Sequence, residues 1–181
     1  GQPDRVGSEF YVATILGGVD QLPRLLDGQI RQMAIALGDN KVRLNKADAA
    51  VKAGFRLPAL IDPSSVIAQS VSIGDGTVIG PRAIVNGDAR IFRCAIVNSG
   101  AIVEHDCVVS DGVHIAPGVA LSGEVTVGSC TMIGTGSSVR NRIRIGRSSI
   151  IGVGSAVVCD IPDDVVAFGV PARVIRSTLS T

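Results

Sequence analysis

The chain has 181 residues, of which 46% are hydrophobic and only 3% aromatic, with no Trp and 22 glycines. Its formal net charge of +1 gives no electrostatic footprint for nucleic acid, and no apolar run reaches the roughly 18 residues needed to cross a bilayer. A core without aromatic bulk must be packed from Val, Ile, Leu and Ala, and small aliphatics with frequent glycine point to a repetitive β architecture rather than a helical bundle.

No positive stretch, apolar stretch and small-residue cleavage site open the chain, so a cytoplasmic protein is expected. Gly1 in place of Met reads as a processed or tagged start. Cys94, Cys107, Cys130 and Cys159 form no CxxC pair. They are expected to be reduced and to serve as small hydrophobes.

Residues 1–60 read as a small α/β domain. A strand is expected over 11–16, then Gly17-Gly18 and a helix over 20–26. An apolar stretch over 30–37 reads as a second strand that meets a turn at Gly38-Asp39-Asn40. A short helix over 46–54 follows, closed by Gly54.

From Ile61 onward the chain repeats in sixes. Every sixth residue (Ile61, Ile67, Ile73, Ile79, Val85 and so on to Val157) is Ile, Val or Leu without exception. The fifth position of each six is small or β-branched, as at Ala83, Ala89, Cys107, Val113 and Thr131. The third and fourth collect turn residues such as Pro63, Pro81, Pro117, Asp75-Gly76 and Asp111-Gly112. A six-residue side with one corner closes into a triangle after three sides, giving 18-residue coils stacked at the spacing of parallel strands. The expected fold is mainly β: a left-handed parallel β-helix over 61–162, about 27 Å tall at that spacing, behind a partial α/β domain over 1–60. Ile161-Pro162-Asp163-Asp164 breaks the period, leaving a tail over 163–181.

The chain has two histidines, His105 and His114, both inside the repeat. His105 falls at a third, corner position, so its side chain points outward. Eighteen residues on, at the same corner one coil away, is Gly123. An imidazole beside a backbone amide is what acyl transfer to an amine or hydroxyl requires. Neutral His takes the nucleophile's proton, and an N–H aimed at the developing oxyanion stabilises the tetrahedral intermediate. Asp106 or Glu104 is placed to orient the imidazole. His114 lies at a sixth position on a flat side. Glu124 and Arg142 follow Asp106 down one column and are expected to form a surface ion pair of little energetic weight. Zinc chemistry on a β-helix of the carbonic anhydrase type needs three histidines, so no metal is expected. Outward aliphatics at Ile84, Ile96, Ile102, Val108 and Met132 would leave apolar strips in water, and a homotrimer would cover them by a closed contact.

The words IVNSGAIVEHDCVV, GVHIAPGVALSGEVTVG and FGVPARVI, together with RQMAIALGDNKVR and LPALIDPSSVI nearer the start, resemble the sialic-acid O-acetyltransferase and bacillosamine N-acetyltransferase family of sugar acyltransferases. The resemblance is tightest over 97–176. It implies that His105 is the catalytic base, Asp106 its acidic partner and His114 a histidine near the acetyl group. It also implies that the Gly123 amide faces the thioester carbonyl, that Thr135 and Val153 line the coenzyme A groove, and that Asn98 assists the acceptor. The family's front carries a glycine- and histidine-rich loop for a nucleotide sugar. No such loop is found in this chain, and Gly38 and Asn40 are the expected remnants of that pocket. The expected function is therefore acetyl-CoA-dependent acetylation of an amino or hydroxyl group on a sugar, free or nucleotide-linked. Two readings compete with it: a non-catalytic trimeric scaffold, and an acetyltransferase with a non-sugar acceptor such as serine.

Overall fold

In the computed structural model, which describes residues 5–10 and 13–179, the hexads fold as the period requires. Seventeen two-residue strands run from Leu60–Ile61 to Ala156–Val157. From Leu60–Ile61 to Ser138–Val139 each pairs in parallel with the strand 18 residues on, as in His114↔Met132 and Ile115↔Ile133. They form the three faces of a left-handed prism. The first face carries Ile96–Val97, His114–Ile115, Met132–Ile133 and Ile150–Ile151. The second carries Ile84–Val85, Ile102–Val103, Ala120–Leu121 and Ser138–Val139, and the third Arg90–Ile91, Val108–Val109, Thr126–Val127 and Arg144–Ile145.

The second residue of each strand points inward, and from Ile79 to Val157 these aliphatics are at most 2% exposed. The fifth-position residues fill the space between them. Where they are polar they bond to the next coil: Thr77 Oγ1 donates to the Phe92 carbonyl at 2.9 Å, and Ser137 Oγ donates to that of Gly152 at 2.9 Å. Every fourth position from Gly76 to Gly154 has positive φ, including Asp106 at 60° and Glu124 at 62°. The corner therefore takes a left-handed residue whatever the side chain, and the closed packing on either side overrides the local preference.

Second positions are frequently glycine, because a side chain there meets the backbone of the next coil. A Cβ on Gly128 would lie 2.5 Å from the Arg147 nitrogen and 2.7 Å from the Gly146 carbonyl carbon. Gly128→Ala is expected to destabilise the prism by about 1–3 kcal/mol, read as a lower Tm; an unchanged Tm would show that the coils separate freely.

The front of the chain departs from its reading in three places. Tyr11 and Val12 lie outside the described residues, and what is seen of that unit is Ala13–Thr14 paired antiparallel with Glu9–Phe10. Residues 30–37 are not a strand: among the described residues one bridge, Gln32↔Arg56, is all the pairing they make, because only Arg56 brings backbone alongside. Met33 and Ile35 pack instead on the small cluster of Ala47, Ala50, Phe55 and Leu57. The helix expected over 46–54 begins earlier. After α1 (Leu22–Asp27) comes α2 (Asn40–Lys52), and Asp39, read as part of a turn, is its N-cap, accepting the Val42 N–H at 2.8 Å.

α2 is fastened to the prism by Arg43, which is 1% exposed. Its guanidinium donates to the carbonyls of Cys94 and Gly112, each at 2.9 Å, and to those of Leu37 and Gly38 at 3.0 and 3.2 Å. The tail is an ordered hairpin. Val165–Gly169 extends the first face beside Ile150–Ile151, and Ala172–Ser177 pairs back antiparallel.

All four cysteines are free. Burial pushes the Cys107 thiol up to about 11, as befits a core hydrophobe. Cys159 departs from that expectation: it is exposed at a corner.

Candidate active site

His105 and Asp106 stand at the corner between the second and third faces, where Asp106 takes the left-handed turn conformation. That turn brings the carboxylate back onto its neighbour, and His105 Nδ1 donates to Asp106 Oδ2 at 2.9 Å. A carboxylate only accepts, so the proton of the neutral ring sits on Nδ1 and Nε2 is left with its lone pair. Nε2 lies over Gly123: a Cβ built there would be 2.5 Å from both His105 Nε2 and Cε1. The imidazole occupies the space that any other residue would fill. The Gly123 N–H makes no hydrogen bond among the described residues, while its carbonyl accepts from Arg142 at 3.0 Å.

The hydrogen bond to Asp106 holds the His105 imidazole above its ordinary value, and the charges of Asp106, Glu104 and Glu124 act in the same direction. Of the two carboxylates considered as orienter, Asp106 makes the contact. A base whose conjugate acid is stabilised becomes competent only at higher pH, so the acid limb of the rate profile is expected above the ordinary imidazole range. Asp106→Asn should shift that limb to lower pH as well as lowering the rate; a limb that stays in place would remove Asp106 from the account.

Outside Asp106 lies an open groove of about 720 Å³ lined by Ser70, Ser72, Asp88, Arg90, Asp106 and Glu124. Three carboxylates face one guanidinium there. Glu124 also pairs with Arg142 at 3.0 Å, the surface ion pair expected from their column.

His114 lies on the first face, half-buried between Ile96 and Met132. Asn98 Nδ2 is 3.2 Å from its Nε2. Burial pulls this imidazole below its ordinary value, and Arg43 adds to the effect. Thr135 and Val153 are successive residues at the corner between the first and second faces, with Val153 76% exposed. Gly38 and Asn40 border a cavity of about 270 Å³ against Cys130, Met132 and Ile150. The Asn40 amide donates to the carbonyls of Cys130 and Thr131, at 3.1 and 3.2 Å.

One chain thus brings together His105, Asp106 and Gly123, and separately Asn98 and His114. The whole second face, with its outward row of Ile84, Ile102 and Ala120, lies between His105 and the corner of Thr135 and Val153. Arg43 is the participant that the residues alone did not reveal. Among the described residues no group of three His, Cys, Asp or Glu is placed to hold a metal ion, and no helix is long and apolar enough to cross a membrane.

A left-handed prism with an outward His–Asp pair over a corner glycine describes the hexapeptide-repeat class of acyltransferases. Comparison with known proteins gives the family. The chain is 35% identical to perosamine N-acetyltransferase from Caulobacter crescentus, solved with CoA and GDP-perosamine, covering 94% of this chain and 81% of that one at a TM-score of 0.92. It is 34% identical to the acetyltransferase domain of PglB from Neisseria gonorrhoeae, solved with acetyl coenzyme A, over 95% of this chain and 83% of that one at a TM-score of 0.91. A 34-residue stretch is 62% identical to the galactoside O-acetyltransferase of Lactococcus lactis, spanning 19% of this chain and only 16% of that relative. No family model matches the sequence. The chain belongs to the hexapeptide-repeat family of CoA-dependent sugar acyltransferases.

Proposed function

We propose that the chain transfers the acetyl group of acetyl-CoA to the amino group of a nucleotide-linked sugar, with His105 as general base. The observation that carries this reading is the His105 imidazole, oriented by Asp106 and seated over Gly123. Acetyl-CoA supplies an activated thioester carbonyl. His105 Nε2 takes the proton from the attacking amine as the new C–N bond forms. The tetrahedral centre gains an oxyanion, to which the unengaged Gly123 N–H donates. Breaking the C–S bond then releases the acetamide and the thiolate of coenzyme A, and the proton held on His105 passes to that sulfur.

Two features support this choice of substrates. The perosamine enzyme was solved with a nucleotide-linked amino sugar and the PglB domain with acetyl-CoA. The three carboxylates of the groove beside His105 favour an amino sugar, which arrives as its ammonium and gives one proton to solvent before the neutral amine attacks, over a neutral hydroxyl. In this reading Thr135 and Val153 flank the coenzyme, His114 faces the acetyl group with Asn98 beside it assisting the acceptor, and residues 1–60 form part of a nucleotide-binding domain with Gly38 and Asn40 on its acceptor side. No metal takes part.

The site is completed between two copies of a homotrimer, which puts Thr135 and Val153 of one copy beside His105 of the next and covers the apolar second face. The four free thiols fit a reducing, cytoplasmic location. The test is the product: mass spectrometry and hydroxylamine treatment should find a stable amide on the amino sugar, and a hydroxylamine-labile ester would overturn N-acetylation. Coenzyme A at a hundred times its Kd should raise apparent stability by about 2.7 kcal/mol. A fully active monomer in light scattering would overturn the shared site.

A further inference from the structure

The contacts around Asn98 fix which proton His114 carries. Asn98 Oδ1 accepts the backbone N–H of Ser99 at 2.8 Å. A backbone N–H can bond only an acceptor, so the amide oxygen must face Ser99 and the NH₂ must face the other way. The other way is His114, whose Nε2 lies 3.2 Å from Asn98 Nδ2. An NH₂ offers only protons, so Nε2 is the accepting nitrogen. A neutral imidazole carries one proton, and here it belongs on Nδ1.

A second constraint comes from α2. Arg43 Nε and Nη2 donate to the carbonyls of Cys94 and Gly112, neighbours one coil apart on a single corner column. Each stands two residues ahead of an outward residue of the first face, Ile96 and His114. The remaining acceptors of the guanidinium are the carbonyls of Leu37 and Gly38 and Asn40 Oδ1. Among the described residues no carboxylate bonds to it, so Arg43 is a buried cation held by carbonyl and amide dipoles and tied to the backbone that enters the His114 strand. Ile96 and Met132 flank His114 in the sheet, and Arg43 on α2 is the charged side chain that acts on it. A second positive charge at His114 is opposed by this cation and by burial.

We infer that Asn98 and Arg43 are positioning residues that hold His114 as the neutral Nδ1–H tautomer, a fixed hydrogen-bond donor and not a base. The purpose of that donor rests on the acetyl-transfer reading above: a neutral N–H aimed at the thioester carbonyl strengthens its bond as charge develops there and does not lose its proton. The two histidines are thereby set to opposite tasks, His105 to accept a proton and His114 to keep one.

With two histidines in the chain, long-range ¹H–¹⁵N correlation spectra of histidine-labelled protein read each ring, and His105→Asn assigns them. Without substrates, His114 is expected to show a protonated Nδ1 and to titrate below the ordinary imidazole value, with His105 above it. In Asn98→Asp the carboxylate accepts from Nε2, so the proton should move there and the titration should rise. Arg43→Gln and Arg43→Lys both lose the forked contacts and should both lower Tm, yet only the Gln variant should raise the His114 titration. If Gln does not fold, the Lys variant must still titrate low. Asn98→Asp should also lower kcat roughly 10²-fold with the KM for acetyl-CoA little changed. A wild-type His114 protonated on Nε2, or a titration indifferent to both Asn98→Asp and Arg43→Gln, overturns the inference. Because the spectra need no substrate, that failure is distinct from a failure to transfer acetyl groups.

Discussion

Replacing His105 by alanine is expected to lower the acetyl-transfer rate by roughly 10²–10⁴ while Tm and coenzyme A affinity stay where they are. The side chain is exposed at a corner and its one side-chain bond is to Asp106, itself exposed. The ring fills no core space, so its removal leaves no cavity. What is lost is the acceptor for the amine proton, and without it the attack must proceed through a cationic intermediate or wait for water. Steady-state rates and calorimetric binding of coenzyme A on the same preparation check both halves. An unchanged rate would remove His105 as the base. A large fall in Tm would mean that it serves the fold.

Gly123→Ala is expected to be nearly as damaging to rate, by a different route. Its new Cβ would lie 2.5 Å from His105 Nε2 and Cε1, so one of the two must move. Gly123 is not among the residues with positive φ, and the backbone accepts alanine. The freely rotating partner is the imidazole, which must swing away and break its bond to Asp106. The rate should fall at least about 10²-fold, as a displacement of about 1 Å can cost, with Tm nearly unchanged. Adding back imidazole should rescue His105→Ala in part but not Gly123→Ala, whose methyl group blocks the same space. Equal rescue of both would show that the glycine does not shape the base's position.

The prism was legible because its period is strict: a residue every six that must be Ile, Val or Leu leaves no other register, and the corners follow from it. The same count put His105 above Gly123, since residues 18 apart stack. The pairing of Asn98 with His114 was within reach of that count, because 98 stacks on 116 and 114 lies two residues before it. Without the coil in three dimensions, the two looked like separate features. The front of the chain was less legible. Gly38-Asp39-Asn40 has turn composition, and Asp39 serves as a helix cap for the same reason that it favours turns: a short carboxylate reaches a nearby backbone N–H. Arg43 carried no sequence signal. Its acceptors on the prism lie 51 and 69 residues further along, and an arginine on a polar helix reads as solvated until the surface against it is known.

The central claim is tested most directly by release of free thiol from acetyl-CoA in the presence of amino sugars, nucleotide-linked and free, with His105→Ala protein alongside. The account predicts rapid thiol release that depends on the amino sugar, is greatest with a nucleotide-linked one, and all but disappears in the variant. Release no faster than spontaneous hydrolysis with every amino sugar, or equal release by wild type and His105→Ala, would contradict it.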